Sequence, residues 1–122
     1  MLAKVWYDKD ASLDPIRDET IAVIGYGIQG NAQANCLKDS GLNVILGLRK
    51  EGKSWDQATK DGHKVYEIPE ATKRGDIVLF LLPDMEQDKV YKTQIGPYLT
   101  KGKTFGVAHG AAVKFPRLWD LV

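Results

Sequence analysis

Apolar residues occur along this chain in short uninterrupted runs, separated by stretches in which apolar and polar positions mix. Five such runs are TIAVIG (20–25), NVILGLR (43–49), KVYEI (64–68), DIVLFLLP (76–83) and TFGVAH (104–109). Runs of this length, rich in β-branched residues, are typical of parallel strands buried on both faces. The pattern therefore predicts five strands, and the most apolar of them, 76–83, is expected at the centre of the sheet.

The stretches between these strands have the start and stop residues of helices. The predicted helices are 28–40, ended by Gly41; 54–62, with Ser54 and Gln57 at capping-box spacing and Gly62 at the end; 69–75, opened by Pro69; and 85–95, broken by Gly96 and Pro97. Residues 1–18 are expected to form an irregular lead-in. Strands that alternate with helices predict an α/β fold with a doubly wound, mostly parallel, Rossmann-like sheet.

Composition limits the classes of protein that the chain can belong to. Its 122 residues suffice for one domain, 1–122, with a substantial core. The net charge of +1 argues against nucleic-acid and membrane-surface partners, and the longest apolar run is too short to cross a bilayer. The start of the chain lacks the apolar core of a signal peptide, so a cytoplasmic location is expected. The single cysteine, Cys36, is expected to be a small buried side chain.

The turn between the first strand and the first helix has the spacing G-x-G-x-x-G, formed by Gly25, Gly27 and Gly30. In such turns the first glycine allows the tight bend, the second lets the backbone approach a pyrophosphate, and the third lets the helix pack closely on the strand. The helix N-terminus then faces the anion. The spacing alone has little weight, but a buried strand before it and a helix after it supply the required context. We therefore predict a dinucleotide site in preference to a plain bend.

The end of the second strand distinguishes NADP from NAD. Sites for NAD usually place Asp or Glu there to bind the ribose 2′-hydroxyl, whereas this chain has Arg49, Lys50 and Lys53, followed by Ser54. Cationic groups and a hydroxyl at a helix N-terminus suit a 2′-phosphate. The alternative is a solvated loop in which Ser54 only caps the helix. The basic strand end favours NADP(H) as the cofactor.

These segments together resemble one family, ketol-acid reductoisomerase, also called acetohydroxyacid isomeroreductase. The resemblance covers about residues 3–110 and rests on WYDKDASLDPI, VIGYGIQGNAQA, GLRKEGKSW, LLPDMEQ and FGVAHG, in the family's order and spacing. It implies that the turn formed by Tyr26, Gly27, Ile28 and Gln29 wraps the pyrophosphate of the cofactor, and that Arg49 and Ser54 hold the 2′-phosphate of NADP. This sequence departs from the family at Gly52, where many members have a serine that also contacts this phosphate, and at Ile28, where serine is frequent.

The resemblance also implies roles beside the nicotinamide half of the cofactor. The segment used there by the family corresponds to Asp84, Met85, Glu86 and Gln87. It follows a strand at the edge where open sheets bind ligands, and Asp84 is also expected to be a helix N-cap. His109 matches the family's active-site histidine and ends a strand at the same edge. His63 has no such position and is expected in a surface loop.

The family reaction, as the resemblance implies it, converts an acetohydroxy acid such as 2-acetolactate or 2-aceto-2-hydroxybutyrate to a dihydroxy acid of valine and isoleucine synthesis. It needs NADPH and Mg²⁺, and the metal ligands lie in a C-terminal helical domain that this sequence lacks. We therefore expect no metal ligands here and a chain that binds NADP(H) without catalysis of its own. A stand-alone dinucleotide-binding module, or a fragment of another NADP-dependent hydroxy-acid dehydrogenase, remains an alternative.

The same resemblance predicts that the sheet is incomplete at its C-terminal end. An exposed sheet edge or apolar face there favours self-association. The apolar side chains expected on that face are Phe115, Leu118 and Trp119. A homo-oligomer is therefore predicted.

Overall fold

A five-stranded parallel sheet organises the chain in the computed structural model, which describes residues 2–110 except for the side chain of Asp84. The strands are β1 (Thr20–Ile24), β2 (Asn43–Leu48), β3 (Lys64–Glu67), β4 (Ile77–Phe80) and β5 (Thr104–Val107). They are arranged in the order β3-β2-β1-β4-β5, and every neighbouring pair is parallel. The predicted α/β class and the doubly wound parallel sheet are thereby confirmed.

The middle strand is β1, and the prediction that 76–83 forms the central strand is wrong. β4 ends at Phe80, and the next residues turn into the space between the ends of β1 and β4. There the Leu81 N–H donates to the Ile24 carbonyl at 2.9 Å, and Leu81 and Leu82 pack against opposite faces of the sheet. The run is long and apolar because Leu81 and Leu82 at its end are packed at this junction. Its apolar character therefore did not indicate that β4 is the middle strand.

Four α-helices connect the strands: α1 (Ile28–Asp39), α2 (Lys53–Lys60), α3 (Ile68–Arg74) and α4 (Asp84–Val90). Short 3₁₀ turns at Asp8–Asp10 and Asp14–Ile16 interrupt the irregular lead-in. The helix predicted over 85–95 widens after Val90 into a π-helical turn, Tyr91–Ile95, and a 3₁₀ turn follows at Gly96–Tyr98. The Gly96 N–H donates to the Tyr91 carbonyl five residues back, and Pro97 has no N–H with which to continue an α-helix.

Two predicted helix caps are wrong. α2 begins at Lys53 with Gly52 as its N-cap, and α4 begins at Asp84 with Pro83 as its N-cap. The loop before α2 contains Glu51 in a left-handed conformation with φ of 67°. This bend leaves Gly52 extended, which is the conformation that an N-cap needs. Ser54 is therefore the second residue of its helix and makes no capping hydrogen bond.

The two faces of the sheet carry separate hydrophobic cores. One contains Ile21, Val23 and Leu46 under α1 and α2, and the other contains Ile24 and Phe80 under α3, α4 and the π-helical turn. Because β1 is buried on both faces, its sequence is apolar without alternation. Among residues 2–110, no helix has the length and apolar character that crossing a membrane requires. Phe115, Leu118 and Trp119 lie outside the described residues.

Cys36 is exposed on α1, so the prediction of a buried cysteine is wrong. The helix buries Gly30 and Ala34 against the sheet. Cys36 follows Ala34 by two residues, which places it about 200° away around the helix axis. It therefore faces solvent.

Candidate cofactor site

The glycine-rich turn lies between the carboxyl ends of β1 and β4. At this point the strand order reverses: β2 and β3 lie on one side of β1, and β4 and β5 lie on the other. Gly25 has φ of +102°, and a Cβ atom there would lie 3.0 Å from the carbonyl oxygen of Leu81. Gly30 is more confined, since its Cβ would lie 2.3 Å from the carbonyl oxygen of Gly25. Both glycines are therefore required by the protein's own packing, one for the bend and one for the close approach of α1.

Gly27 differs, because a Cβ atom there would meet no atom of residues 2–110 within 4 Å. Gly27 is exposed and is the N-cap of α1, which has no side-chain cap. The Asn31 N–H donates to the Gly27 carbonyl at 2.9 Å. The preceding backbone N–H groups, of Ile28, Gln29 and Gly30, belong to the first helical turn, where such groups lack partners within the helix. An open glycine beside these donors and the positive end of the helix dipole fits a phosphate group.

A second set of groups that could bind an anion surrounds the start of α2, at the end of the neighbouring strand. Arg49, Lys50, Lys53 and Ser54 are all exposed there. Because β2 pairs directly with β1, with Gly47 opposite Ile24, these groups lie beside the glycine-rich turn. The start of α2 has no side-chain cap, which leaves the Ser54 hydroxyl available to a ligand. Three cations at a helix N-terminus favour a phosphate dianion.

The segment on the other side of the turn has one inward-facing and two outward-facing side chains. Met85 is 87% exposed and Glu86 is also exposed. Gln87 is buried, and its Nε2 donates to the Leu82 carbonyl at 2.8 Å, so it supports the loop from within. The backbone of Asp84 begins α4. His109 is exposed, two residues beyond the end of β5 and at the same edge of the sheet.

The partners of the Tyr26 side chain were not predicted from the sequence. Tyr26 is buried, and its hydroxyl donates to Asp61 Oδ2 at 2.7 Å. Its ring meets the edge of the His63 ring at a centroid separation of 5.6 Å. His63 is only 7% exposed, so its prediction as a surface-loop residue is wrong. Gly62, with φ of +83°, and the hydrogen bond from His63 N–H to the Ala58 carbonyl form a helix-ending Schellman motif that turns His63 inward.

Further hydrogen bonds fix the residues around Tyr26. His63 Nε2 lies 2.9 Å from Asn35 Oδ1 on α1, and Asn35 Nδ2 donates to Asn31 Oδ1 at 2.9 Å. Asp61 Oδ1 accepts a hydrogen bond from Gln57 Nε2 at 2.9 Å. We call Tyr26, Asp61, His63 and Asn35 the Tyr26 cluster. It connects the glycine-rich turn to α1 and to the end of α2.

Three members of the Tyr26 cluster have a pKa that differs from the ordinary value. Burial, and then the hydrogen bond to Asp61, raises the pKa of Tyr26. The hydrogen bonds from Tyr26 and then Gln57 lower the pKa of Asp61. Burial, and then the charge of Lys38, lowers the pKa of His63 against an opposing effect of Asp61. Near neutral pH the cluster therefore contains a phenol, a carboxylate and an uncharged imidazole.

We expect His63 to make the fold less stable in mild acid. Because its pKa is lower in the folded state than the ordinary value of 6.5, the unfolded state binds the proton first. The contribution of His63 to the free energy of unfolding is therefore fully present above pH 6.5. It declines as the pH falls from 6.5 toward the pKa of His63 in the folded state. His63→Gln keeps an amide that can reach Asn35 and removes the titrating group.

The measurement is the melting temperature of both proteins from about pH 8 to about pH 5, a range that spans the histidine titration. The melting temperature of the wild-type protein should fall more steeply than that of His63→Gln. Parallel curves for the two proteins would contradict the prediction. Asp61 and Lys38, the charged neighbours of His63, are present in both proteins.

The protein is a dinucleotide-binding domain of the Rossmann type. This class is defined by the strand order, by the glycine-rich turn and by the N-terminus of α1, which has no side-chain cap. Within that class, residues 15–119 match the family described as "Acetohydroxy acid isomeroreductase, NADPH-binding domain". The chain therefore belongs to this family, and the resemblance to ketol-acid reductoisomerase is confirmed.

Known relatives agree with this assignment. A "Ketol-acid reductoisomerase (NADP(+))" of Nitrosopumilus maritimus is 59% identical over 112 residues, which cover 92% of this chain and 34% of the relative. One of Methanocaldococcus jannaschii is 56% identical over 114 residues, covering 93% of this chain and 34% of the relative. A solved structure of an NADH-preferring ketol-acid reductoisomerase from an uncultured archean superposes with a TM-score of 0.90 at 44% identity, covering 94% of this chain and 36% of that one. The chain thus spans about a third of the length of these curated relatives.

Proposed function

We propose that this chain is a single domain, 1–122, that binds NADP(H) for a ketol-acid reductoisomerase. The observation that carries the proposal is the open backbone at Gly27, next to the uncapped N-terminus of α1. No contact with the described residues 2–110 requires glycine at that position, whereas close approach of a pyrophosphate does. The curated relatives named above are NADP(+) enzymes, which supports the same cofactor.

The residues of this chain would bind and orient the cofactor in three places. The backbone N–H groups of the turn formed by Gly25, Tyr26, Gly27, Ile28, Gln29 and Gly30 receive the pyrophosphate. Arg49, Lys53 and Ser54 bind the 2′-phosphate. The segment from Asp84 to Gln87 lies toward the nicotinamide half, at the carboxyl end of β4. NADPH, when bound, supplies a hydride to the substrate.

We further propose that the substrate is an acetohydroxy acid and that the product is a dihydroxy acid. His109 would contact the substrate or the reacting half of the cofactor from the end of β5. Among residues 2–110, no group of three or more His, Cys, Asp or Glu side chains is placed to hold a metal ion. The Mg²⁺ on which the family reaction depends, as the resemblance implies, would be held elsewhere in the assembled enzyme. The 122-residue chain is therefore expected to bind NADPH without turnover.

Titration of the purified chain with NADPH and with NADH tests the cofactor assignment. We expect a saturable change in cofactor fluorescence and a lower dissociation constant for NADPH than for NADH. Failure to bind either cofactor would refute the proposal. Oxidation of NADPH by the chain in the presence of 2-acetolactate and Mg²⁺ would show instead that it is catalytic by itself.

We also propose that the chain forms a homo-oligomer. Large apolar side chains of the lead-in are exposed, among them Leu2, Val5, Trp6 and Tyr7. These residues are close together in sequence, and exposed apolar patches are characteristic of association surfaces. A single monomeric species in light scattering at micromolar concentration would contradict this proposal.

A further inference from the structure

The two ends of α2 have different roles. Its first turn carries Lys53 and Ser54, which we assign to the 2′-phosphate of NADP. Its C-cap is Asp61, whose carboxylate accepts the hydrogen bond of the Tyr26 hydroxyl. A helix of eight residues is only about 12 Å long. One side-chain hydrogen bond, between residues 35 positions apart in sequence, therefore joins the far end of this helix to the glycine-rich turn.

This contact is directional, and hydrophobic packing does not require it. A buried phenylalanine would fill the same space as the Tyr26 ring, but it would leave Asp61 without that hydrogen bond. The donor–acceptor distance of 2.7 Å and the charged acceptor are typical of a strong hydrogen bond. Both partners are held from other sides, since Gln57 donates to the second oxygen of Asp61 and the ring of His63 meets that of Tyr26 edge-on.

The backbone around Asp61 is also fixed. Besides the Schellman motif that ends α2, Lys38 of α1 donates from Nζ to the Gly62 carbonyl at 3.0 Å. The side chain of Asp61 therefore approaches Tyr26 from a rigid support. A change in its position would move the whole of α2, because so short a helix shifts as one body.

We infer that Tyr26 and Asp61 are positioning residues for the cofactor: their hydrogen bond sets α2 relative to the glycine-rich turn and so sets the spacing between the two phosphate-binding places. The inference rests on the proposed function. A cofactor with a 2′-phosphate engages both places at once, whereas NADH engages only the turn. Loss of the hydrogen bond between Tyr26 and Asp61 should therefore weaken the binding of NADPH more than the binding of NADH.

The experiment compares dissociation constants for NADPH and NADH across a set of variants. Asp61→Ala should raise the dissociation constant for NADPH about 3- to 10-fold, the range that corresponds to the net contribution of one ordinary hydrogen bond, and should change that for NADH less than twofold. Asp61→Asn keeps an oxygen that can accept from Tyr26 and should recover most of the affinity. Asp39→Ala removes an exposed carboxylate from the end of α1 and is the matched control for charge.

Tyr26→Phe is the second test, because it keeps the packed ring and removes only the hydroxyl. It should reproduce the Asp61→Ala result, and the double variant should be no weaker than either single one. Equal weakening of both cofactors, or no change in either, would overturn the inference, since the cluster would then serve packing alone. Failure of the wild-type chain to bind NADPH would refute the proposed function instead, so the two failures are distinguishable.

Discussion

Gly27→Ala is expected to weaken the binding of NADPH at least about tenfold and to leave the fold intact. The new methyl group would meet no atom of the described part of the chain within 4 Å. The backbone of Gly27 is extended, with φ of −75°, so alanine there does not need a left-handed conformation. Its cost to the free energy of unfolding should stay within about 1 kcal/mol, the effect of a poorer helix N-cap. The methyl group would, however, occupy the space that a pyrophosphate needs beside the α1 N–H groups.

Gly30→Ala should have the opposite effect. Its methyl group would lie 2.3 Å from the Gly25 carbonyl oxygen and 2.8 Å from the carbonyl carbon. Both neighbours are backbone atoms, so relief requires α1 to move away from β1. Overpacking of this severity should lower the free energy of unfolding by about 3 kcal/mol or more, which is a large part of the total stability of a small domain.

Urea denaturation and NADPH titration of both variants separate the two effects. The dissociation constant of Gly27→Ala should rise at least about tenfold, equivalent to about 1.4 kcal/mol, with a nearly unchanged urea midpoint. Gly30→Ala should show the lowered midpoint. Wild-type affinity in Gly27→Ala would mean that no phosphate approaches this residue, and wild-type stability in Gly30→Ala would contradict the close packing of α1.

The strands β1 and β2 were predictable because each is buried on both faces. Val23 and Ile24 are fully buried on opposite sides of β1, and such burial leaves an uninterrupted apolar run in the sequence. The helix starts were less predictable. The spacing of Ser54 and Gln57 is compatible with a capping box, but the left-handed conformation of Glu51 moves the start of α2 upstream. A propensity pattern does not report that conformation.

The Tyr26 cluster could not be predicted from local sequence. The bond from Tyr26 to Asp61 joins residues 35 positions apart, and the contact of His63 with Asn35 spans 28. The one available signal is Gly62, since a glycine that ends a helix often turns the next residue inward against it. The glycine-rich turn, in contrast, was predictable because the spacing of its glycines and the strand and helix that flank it are all local in sequence. The role of the basic residues at the end of β2 stays a prediction that a bound cofactor would test.

Arg49→Glu is expected to remove the preference for NADPH. A hydrogen-bonded guanidinium–phosphate pair contributes about 1.5–3 kcal/mol, and a glutamate in its place adds repulsion of the 2′-phosphate. The dissociation constant for NADPH should therefore rise at least about 30-fold. That for NADH should change little, because an acid at this strand end suits a ribose 2′-hydroxyl. One solved relative is described as NADH-preferring, whereas the curated relatives are NADP(+) enzymes.

Lys60→Glu is the matched control for Arg49→Glu, since it makes the same change of charge at the opposite end of α2 on an exposed side chain. Position 60 lies about 12 Å from the start of the helix. Lys60→Glu should therefore change the dissociation constants for NADPH and NADH only slightly and to the same extent. Raising the ionic strength should weaken NADPH binding to the wild-type chain more than to Arg49→Glu, because salt screens the attraction. If Arg49→Glu kept the NADPH preference, the 2′-phosphate would have to lie elsewhere. If both variants lost it equally, the effect would come from net charge and not from a contact at Arg49.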